Sequence, residues 1–300
     1  MAPSLVVLAA GMARRYGGCK PLAPIGPNGE AVIDLLVSDA LAAGFGQIVL
    51  VLHPETGPAI KYHVEQSWPS SVDVAFATQR LPLGTVHAVL AAKDALGGTQ
   101  AFAVCNADDV YGEVAMGQLS QQLVSGVGEH VLVGYELRST VATDDPVTRG
   151  ICQVSDSGYL VALHERRQVA RVAGGESFVA GDGVEPAELD GRLPASVNLW
   201  GFQSVIWKTF EAAMEASGLD EDALVAHVEA GGEIPKAEVL LPEVVATMVA
   251  TGEGLPVRVI TTDARLVGVT HAADLPAVSA ELARQVAWGT RPNRLWADLA

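Results

Sequence analysis

The fold is decided by the stretch at residues 5–22, which reads LVVLAAGMARRYGGCKPL. Its first four residues are apolar or β-branched, as in a buried strand, and the small residues 9–11 then end that pattern. Three cations follow, Arg14, Arg15 and Lys20, with two glycines between them. Small residues let backbone amides approach an anion closely, and clustered cations suit a polyphosphate. The stretch therefore predicts a strand followed by a phosphate-binding loop, with a solvated basic loop as the alternative.

Composition narrows the class of protein. The chain has 300 residues, of which 49% are hydrophobic, so it can bury a sizeable core. Its net charge of −16 argues against a nucleic-acid partner, because neutralising phosphates requires a basic surface. No apolar run is long enough to span a bilayer, and the N-terminus lacks a signal-peptide pattern. The 3 cysteines have no metal-ligand spacing, and we expect reduced thiols in a cytoplasmic protein.

Strand-like and helical patterns alternate along the first third of the chain. Strands are predicted at 5–8, 48–52, 72–77 and 101–105, with helical stretches between them. This order predicts an α/β protein with a mostly parallel sheet and helices on both faces. Ligands of such sheets bind at the carboxyl ends of the strands. The loops after Leu8, Ala77 and Cys105 should therefore meet at one cleft.

The rest of the chain has a mixed pattern. A helix is predicted at 114–124, a hairpin around 156–158 and a strand at 196–202. The segment 169–194 is polar and glycine-rich, which favours a mobile loop or an insertion. With no internal repeat and no low-complexity linker, the sequence is interpreted as a single domain over 1–300.

Two adjacent acids follow a predicted buried strand in the segment FAVCNADDVYG, residues 102–112. Carboxylates at the carboxyl end of a strand are well placed to hold Mg²⁺ on the phosphates of a nucleotide. The alternative is that Asp108 and Asp109 are the N-cap and a first-turn acid of a helix. The neighbouring basic loop favours the metal.

The segment QRLPLGTVH, residues 79–87, ends a strand and opens a helix. The amide of Gln79 can read a base edge because it both donates and accepts hydrogen bonds. Gly84 would let a flat base approach the backbone. An ordinary turn is the alternative interpretation.

These motifs resemble those of the nucleotidyltransferases that make nucleotide-diphospho-sugars. The family signature is similar to the stretch LAAGMARR, residues 8–15, followed by KPL at 20–22. Ala13 stands where the signature has a second glycine, and Ala107 replaces a glycine before the metal-binding aspartate. The resemblance is specific over residues 1–112 and loose beyond them. It implies a Rossmann-like, mostly parallel mixed sheet flanked by helices, with 1–112 as the nucleotide-binding half and 113–300 as the acceptor-binding half.

The resemblance also implies roles for individual residues. Phosphate binding and catalysis fall to Arg15 and Lys20, and Mg²⁺ binding falls to Asp108. The implied nucleotide-binding residues are Leu8, Ala9, Ala10, Gly11, Gln79, Gly84 and Thr85. The implied acceptor-binding residues are Gly150, Glu165 and Asn198, although Glu165 could equally be a surface acid and Asn198 could cap a bend.

The late metal ligand of the family has no counterpart in this sequence. Val267 stands where that aspartate would fall, in the segment LVGVTH at 266–271. Asp263 and Asp274 are close in sequence, but neither matches by position. The second ligand is therefore left unassigned.

The implied reaction is the Mg²⁺-dependent transfer of NMP from an NTP (UTP, dTTP or CTP) to a sugar-1-phosphate, with release of pyrophosphate. One alternative is a cytidylyltransferase, or another NTP transferase, that acts on a non-sugar phosphate or phosphonate. A second alternative is a regulator that binds nucleotide without catalysis. The apolar second half leaves room for a homodimer interface.

Overall fold

A computed structural model describes residues 2–11, 18–97, 101–126, 128–141, 145–172, 177–268 and 274–296. The strands within these residues are β1 (Ser4–Ala9), β2 (Gln47–Leu52), β3 (Asp73–Thr78), β4 (Phe102–Asn106), β5 (Asp109–Val110), β6 (His130–Glu136), β7 (Val147–Val154), β8 (Leu160–Arg171), β9 (Ser177–Ala180), β10 (Glu188–Asp190), β11 (Pro194–Phe202), β12 (Val257–Thr262) and β13 (Val267–Gly268). The helices are α1 (Val32–Ala42), α2 (Gly57–Ser67), α3 (Thr85–Ala91), α4 (Glu113–Ser125), α5 (Leu137–Thr140), α6 (Ile206–Ser217), α7 (Glu221–Glu229), α8 (Leu241–Thr251) and α9 (Leu275–Ala287), with a 3-10 helix at Lys20–Leu22. None of these helices has the length and apolar character needed to cross a membrane.

The first four strands form the parallel centre of the sheet, in the order β3-β2-β1-β4. β1 lies between two parallel partners and is covered on both faces. Leu5 and Val7 pack into one apolar cluster and Val6 into the opposite one, because successive side chains of a strand point to opposite faces. The α/β prediction, with a mostly parallel central sheet and flanking helices, is confirmed.

The second half of the chain extends this sheet with antiparallel strands. β11 pairs antiparallel with β4, and β7, β8, β9 and β10 continue outward from β11. β6 also pairs with β11 and carries β12 in parallel. The result is a mixed sheet of 11 strands.

The mobile-loop interpretation of residues 169–194 is wrong, because this segment contains the end of β8 and all of β9 and β10. Val169, Phe178 and Leu189 of this segment pack into one buried cluster. The buried Arg166 binds Asp182 through Nε at 2.8 Å and also donates to the Pro186 carbonyl. The polar composition hid a short period-two pattern that these contacts complete.

The C-terminal segments fold back onto the nucleotide half of the chain. β13 pairs antiparallel with β5, which places Val267 opposite Val110 and Gly268 opposite Asp109. A buried bidentate ion pair joins Arg291 to Asp39 on α1, at 2.7 and 2.8 Å. These contacts bring the late part of the chain against the end of β4.

Candidate active site

Two hollows meet at the carboxyl ends of the central strands. The large cleft has a volume of about 930 Å³ and the small pocket about 380 Å³. The large cleft is lined by Leu8, Ala9, Ala10, Gly11, Lys20, Pro21, His53, Glu55, Gln79, Pro82, Gly84, Thr85, Ala88, Asn106, Ala107, Asp108, Ile234, Pro235, Lys236 and Glu238. The small pocket is lined by Asn106, Asp109, Thr148, Arg149, Gly150, Leu163, Glu165, Ser196, Val197, Asn198, Leu240, Pro242, Glu243, Ala246 and Leu266. Asn106, the last residue of β4, belongs to both.

The loop after β1 forms one wall of the large cleft. Leu8 to Gly11 line it, and the Leu8 carbonyl accepts a hydrogen bond from the amide of Ala107 at 3.2 Å. The 3-10 helix at Lys20–Leu22 then returns the chain to the cleft. Residues 12–17 lie outside the described residues, and with them the predicted phosphate ligand Arg15.

Lys20 and Asp108, which are 88 positions apart in sequence, make a direct ion pair in the large cleft. Lys20 Nζ donates to Asp108 Oδ2 at 2.6 Å. The Lys20 side chain is 16% exposed and that of Asp108 is 36% exposed, so both remain open to the cleft. The helix-cap interpretation of the two acids is wrong, since α4 begins at Glu113 with Gly112 as its N-cap.

Gln79 is held at the edge of the large cleft by its own loop. Its Nε2 donates to the Gly84 carbonyl at 2.9 Å and lies 3.2 Å from His87 Nδ1. Burial lowers the pKa of His87, which favours the neutral ring that accepts this bond. Both amide hydrogens are thus used by the protein, and the amide oxygen accepts no hydrogen bond from the residues that the structure describes.

Gly84 has a structural reason to be glycine beyond the close approach of a base. Its φ is +102°, and a Cβ at this position would lie 2.4 Å from the carbonyl oxygen of Val239. The next residue, Thr85, accepts a bond from the Leu241 amide at its hydroxyl oxygen at 2.7 Å. The turn predicted to bind the base therefore also fixes the chain around Val239.

The three predicted acceptor residues come together in the small pocket. Gly150 on β7 is the register partner of both Glu165 on β8 and Ser196 on β11. Asn198 lies at a bulge in β11 and has a φ of +60°, a conformation that asparagine tolerates better than most residues. Its Oδ1 accepts a bond from the indole of Trp200 at 3.3 Å.

Two further polar residues of the small pocket were not assigned from the sequence. Asp109 accepts a bond from Asn106 Nδ2 at 3.3 Å, and burial together with the charge of Asp108 raises the pKa of Asp109 to about 7. Its Oδ1 would lie 2.4 Å from a Cβ at residue 268, so a side chain there would have to displace the Asp109 carboxyl group. Asp109 begins β5 whereas Asp108 lies in the preceding turn, and no local sequence pattern indicated that the two acids would line different hollows.

Arg149 is the cation of the small pocket among the described lining residues. Its two terminal nitrogens donate to the carbonyls of Thr148 and Thr140, at 2.8 and 2.6 Å. Its Nε is buried and has no hydrogen-bond partner among the described residues. Burial lowers the pKa of Arg149, partly offset by the nearby charge of Asp109.

The described residues contain no group of three or more His, Cys, Asp or Glu side chains that could hold a metal ion by itself. Val267 is 5% exposed and belongs to an apolar cluster, so it cannot replace the missing aspartate. Neither Asp263 nor Asp274 lines either hollow as the structure describes them. The donor set at Asp108 still fits Mg²⁺, which takes one or two carboxylates and completes its shell with substrate phosphates and water.

Known proteins share this N-terminal region. Residues 5–139 match the profile of the MobA-like NTP transferase domain. The chain is also 31% identical over 169 residues to the bifunctional protein GlmU of Hyphomonas neptunium, across 54% of this chain and 33% of that protein. It thus spans about a third of the length of this curated relative. The residues matched by the domain profile include Lys20, Gln79, Gly84 and Asp108, and both similarities support a nucleotidyltransferase.

Proposed function

We propose that this chain is a Mg²⁺-dependent nucleotidyltransferase that transfers NMP from an NTP to a sugar-1-phosphate. The observation that carries the proposal is the Lys20–Asp108 pair in the large cleft, next to a polar pocket that shares Asn106. A nucleotide in the cleft and an acceptor in the pocket would meet at the end of β4.

In the proposed reaction, an oxygen of the acceptor phosphate forms a bond to the α-phosphorus of the NTP. The bond from that phosphorus to the bridging oxygen breaks, and pyrophosphate leaves. Such a transfer depends on positioning and charge neutralisation more than on covalent catalysis. A bound Mg²⁺ would supply positive charge to the phosphates.

The residues of the large cleft divide this work. Lys20 neutralises charge at the α-phosphate, and Asp108 holds the metal. Arg15 is proposed for the β- and γ-phosphates together with the amides of Leu8 to Gly11. Gln79, Gly84 and Thr85 would select the base, and the amide oxygen of Gln79 can accept a hydrogen bond from an N–H group of the base.

The small pocket supports a sugar as the acceptor. Glu165 and Asn198 carry oxygens that accept hydrogen bonds from hydroxyl groups, and Gly150 leaves space beside them. Asp109 and Glu243 add further carboxyl groups to the same lining. A pocket of this kind favours an acceptor whose part beyond the phosphate carries several hydroxyl groups over one in which that part is anionic.

Two alternatives rest on the buried Val267 in place of the late aspartate. A cytidylyltransferase acting on a non-sugar phosphate or phosphonate would use the same large cleft with a different acceptor. A non-catalytic regulator would bind nucleotide without releasing pyrophosphate. The base, the cytoplasmic location and the homodimer stay predictions.

Thermal unfolding with Mg²⁺ and each of UTP, dTTP, CTP, ATP and GTP tests the nucleotide part of this proposal. A nucleotide at about 100 times its Kd should add roughly 2.7 kcal/mol to the free energy of unfolding. We expect one pyrimidine nucleotide to stabilise the protein most. Absence of any shift with all five nucleotides would overturn the proposed function.

A further inference from the structure

We propose that Lys236, which lines the large cleft, binds the phosphates of the nucleotide. This inference rests on the proposed function, because it needs an NTP in the large cleft. It adds a cation from the second half of the chain, outside residues 5–139, to a site otherwise built by the first half.

The segment 234–238 reaches the large cleft because its C-terminal flank is fixed to the turn that follows Gln79. The Val239 amide donates to the Leu83 carbonyl at 2.9 Å, and the Val239 carbonyl accepts from the Val86 amide at 3.1 Å. A side chain at Gly84 would collide with the backbone of Val239. This backbone packing leaves the preceding residues beside the cleft.

The N-terminal end of the connection that contains Lys236 is attached to the same turn. Glu221, the first residue of α7, accepts bonds from the backbone amide and the guanidinium of Arg80, at 3.1 and 2.8 Å. Its carboxylate also lies 3.3 Å from His87 Nε2. Residues 222–238 are therefore held at both ends by residues 80–86, and Ile234, Pro235, Lys236 and Glu238 line the cleft.

The described residues that line the large cleft carry a net negative charge. The ionised residues among them are Lys20, Lys236, Glu55, Asp108 and Glu238. Lys20 is already engaged by Asp108. Lys236 is exposed and makes no ion pair with any described residue, so its ammonium is available to an anion. A triphosphate entering this cleft needs that positive charge in addition to its metal.

An ammonium on a flexible stem acts as a point charge, so charge should matter more than shape at this position. Arginine should therefore replace Lys236 with little loss, whereas the uncharged Lys236→Met should not. Lys208→Met is the matched control, because Lys208 is an exposed lysine on α6 that does not line the cleft.

The experiment measures the Kd of the preferred NTP with Mg²⁺ by calorimetry, and KM and kcat for both substrates. We expect Lys236→Met to weaken NTP binding about tenfold, with the acceptor KM unchanged, and Lys236→Arg to restore binding to within about threefold. Lys208→Met should bind as the wild type does. Because residue 236 is exposed, the unfolding temperature without nucleotide should be the same in all four proteins.

Equal NTP affinity in Lys236→Met and the wild type would overturn this inference and leave the proposed function intact. A wild type that binds no NTP would instead overturn the proposed function, and the role of Lys236 with it. A loss in Lys236→Met that arginine does not reverse would contradict the point-charge role.

Discussion

The large cleft and the small pocket share one residue, Asn106, but they are built in different ways. The cleft lies at the ends of parallel strands, and its ion pair between Lys20 and Asp108 is partly exposed. The pocket lies among the antiparallel strands β7, β8 and β11, where Asp109 and Arg149 are half-buried and have no direct ion pair with each other among the described residues. The first arrangement suits a highly charged ligand, and the second suits one recognised through hydroxyl groups.

The difference originates in two adjacent residues. Asp108 lies in the turn between β4 and β5 and lines the large cleft, whereas Asp109 begins β5 and lines the small pocket. The pair places one carboxyl group toward each ligand. The end of β4 is therefore the point at which two substrates would meet, and variants on either side should affect different kinetic constants.

The largest effect is expected for Asp108→Asn, which removes the proposed metal-binding charge from the large cleft. We expect kcat to fall by about 10³-fold or more, because electrostatic stabilisation of the transferring phosphoryl group is the main catalytic contribution. The thermal stability should change little, since the side chain is partly exposed. Steady-state pyrophosphate release measures the effect, and a rate within tenfold of the wild type would contradict the assignment.

Lys20→Ala should have the next largest effect, a loss of about 10²- to 10³-fold in kcat. The ammonium is expected to act on charge that develops during transfer, so the fall in kcat should exceed the rise in the NTP KM. Lys61→Ala, an exposed lysine on α2, is the control for loss of one positive charge. An unchanged kcat in Lys20→Ala would show that the pair with Asp108 is only structural.

Buried polar groups of the antiparallel half should also make stability depend on pH. His130 on β6 is fully buried, and its Nδ1 accepts a bond from the Gln203 amide at 3.1 Å. Burial lowers the pKa of His130 to about 4, so the ring is neutral in the folded protein. The unfolded chain binds the proton more readily than the folded protein does. The stability that the neutral His130 ring contributes is therefore complete above about pH 6.5 and is lost as the pH falls toward 4.

The expected loss of unfolding free energy from this residue over that interval is on the order of 3 kcal/mol. Urea unfolding at several pH values measures it. His130→Asn keeps an acceptor for the Gln203 amide and removes the titrating ring, so its stability should fall less steeply below pH 6.5. Parallel slopes for the two proteins would contradict a buried neutral His130.

The smallest effect is expected in the small pocket. Glu165→Gln should raise the acceptor KM about tenfold and leave the NTP KM unchanged. The reason is that a neutral amide accepts weaker hydrogen bonds from hydroxyl groups than a carboxylate does. Glu188→Gln on the edge strand β10 is the matched control, since Glu188 is exposed and lies outside both hollows. Equal shifts in the KM for NTP and the KM for the acceptor would contradict the assignment of the two hollows to different substrates.

Most of the residues predicted to bind the nucleotide line the large cleft, because they lie at the ends of consecutive parallel strands. Leu8, Gln79 and Asp108 follow strand-like runs directly, and the order of strands and helices brings such positions together. The predicted acceptor residues also meet, although Gly150 and Glu165 depend on a hairpin register that the sequence suggests only loosely.

Residues outside these patterns could not be found in the same way. Lys236 lies in the connection between α7 and α8, and its position depends on backbone hydrogen bonds between Val239 and the turn at residues 83–86. The strands within 169–194 were hidden because β9 and β10 are only 4 and 3 residues long and are separated by polar turns. Both features are determined by contacts distant in sequence, which local patterns do not reveal.

The most direct test of the central claim is pyrophosphate release from the preferred NTP with Mg²⁺, measured with and without a panel of sugar-1-phosphates and phosphonates. If the two ligands meet at the end of β4, pyrophosphate release should be fast only when NTP and a sugar-1-phosphate are both present. Glu165→Gln should then alter only the dependence of the rate on acceptor concentration. Nucleotide binding without pyrophosphate release for every acceptor in the panel, or release at the same rate without any acceptor, would contradict it.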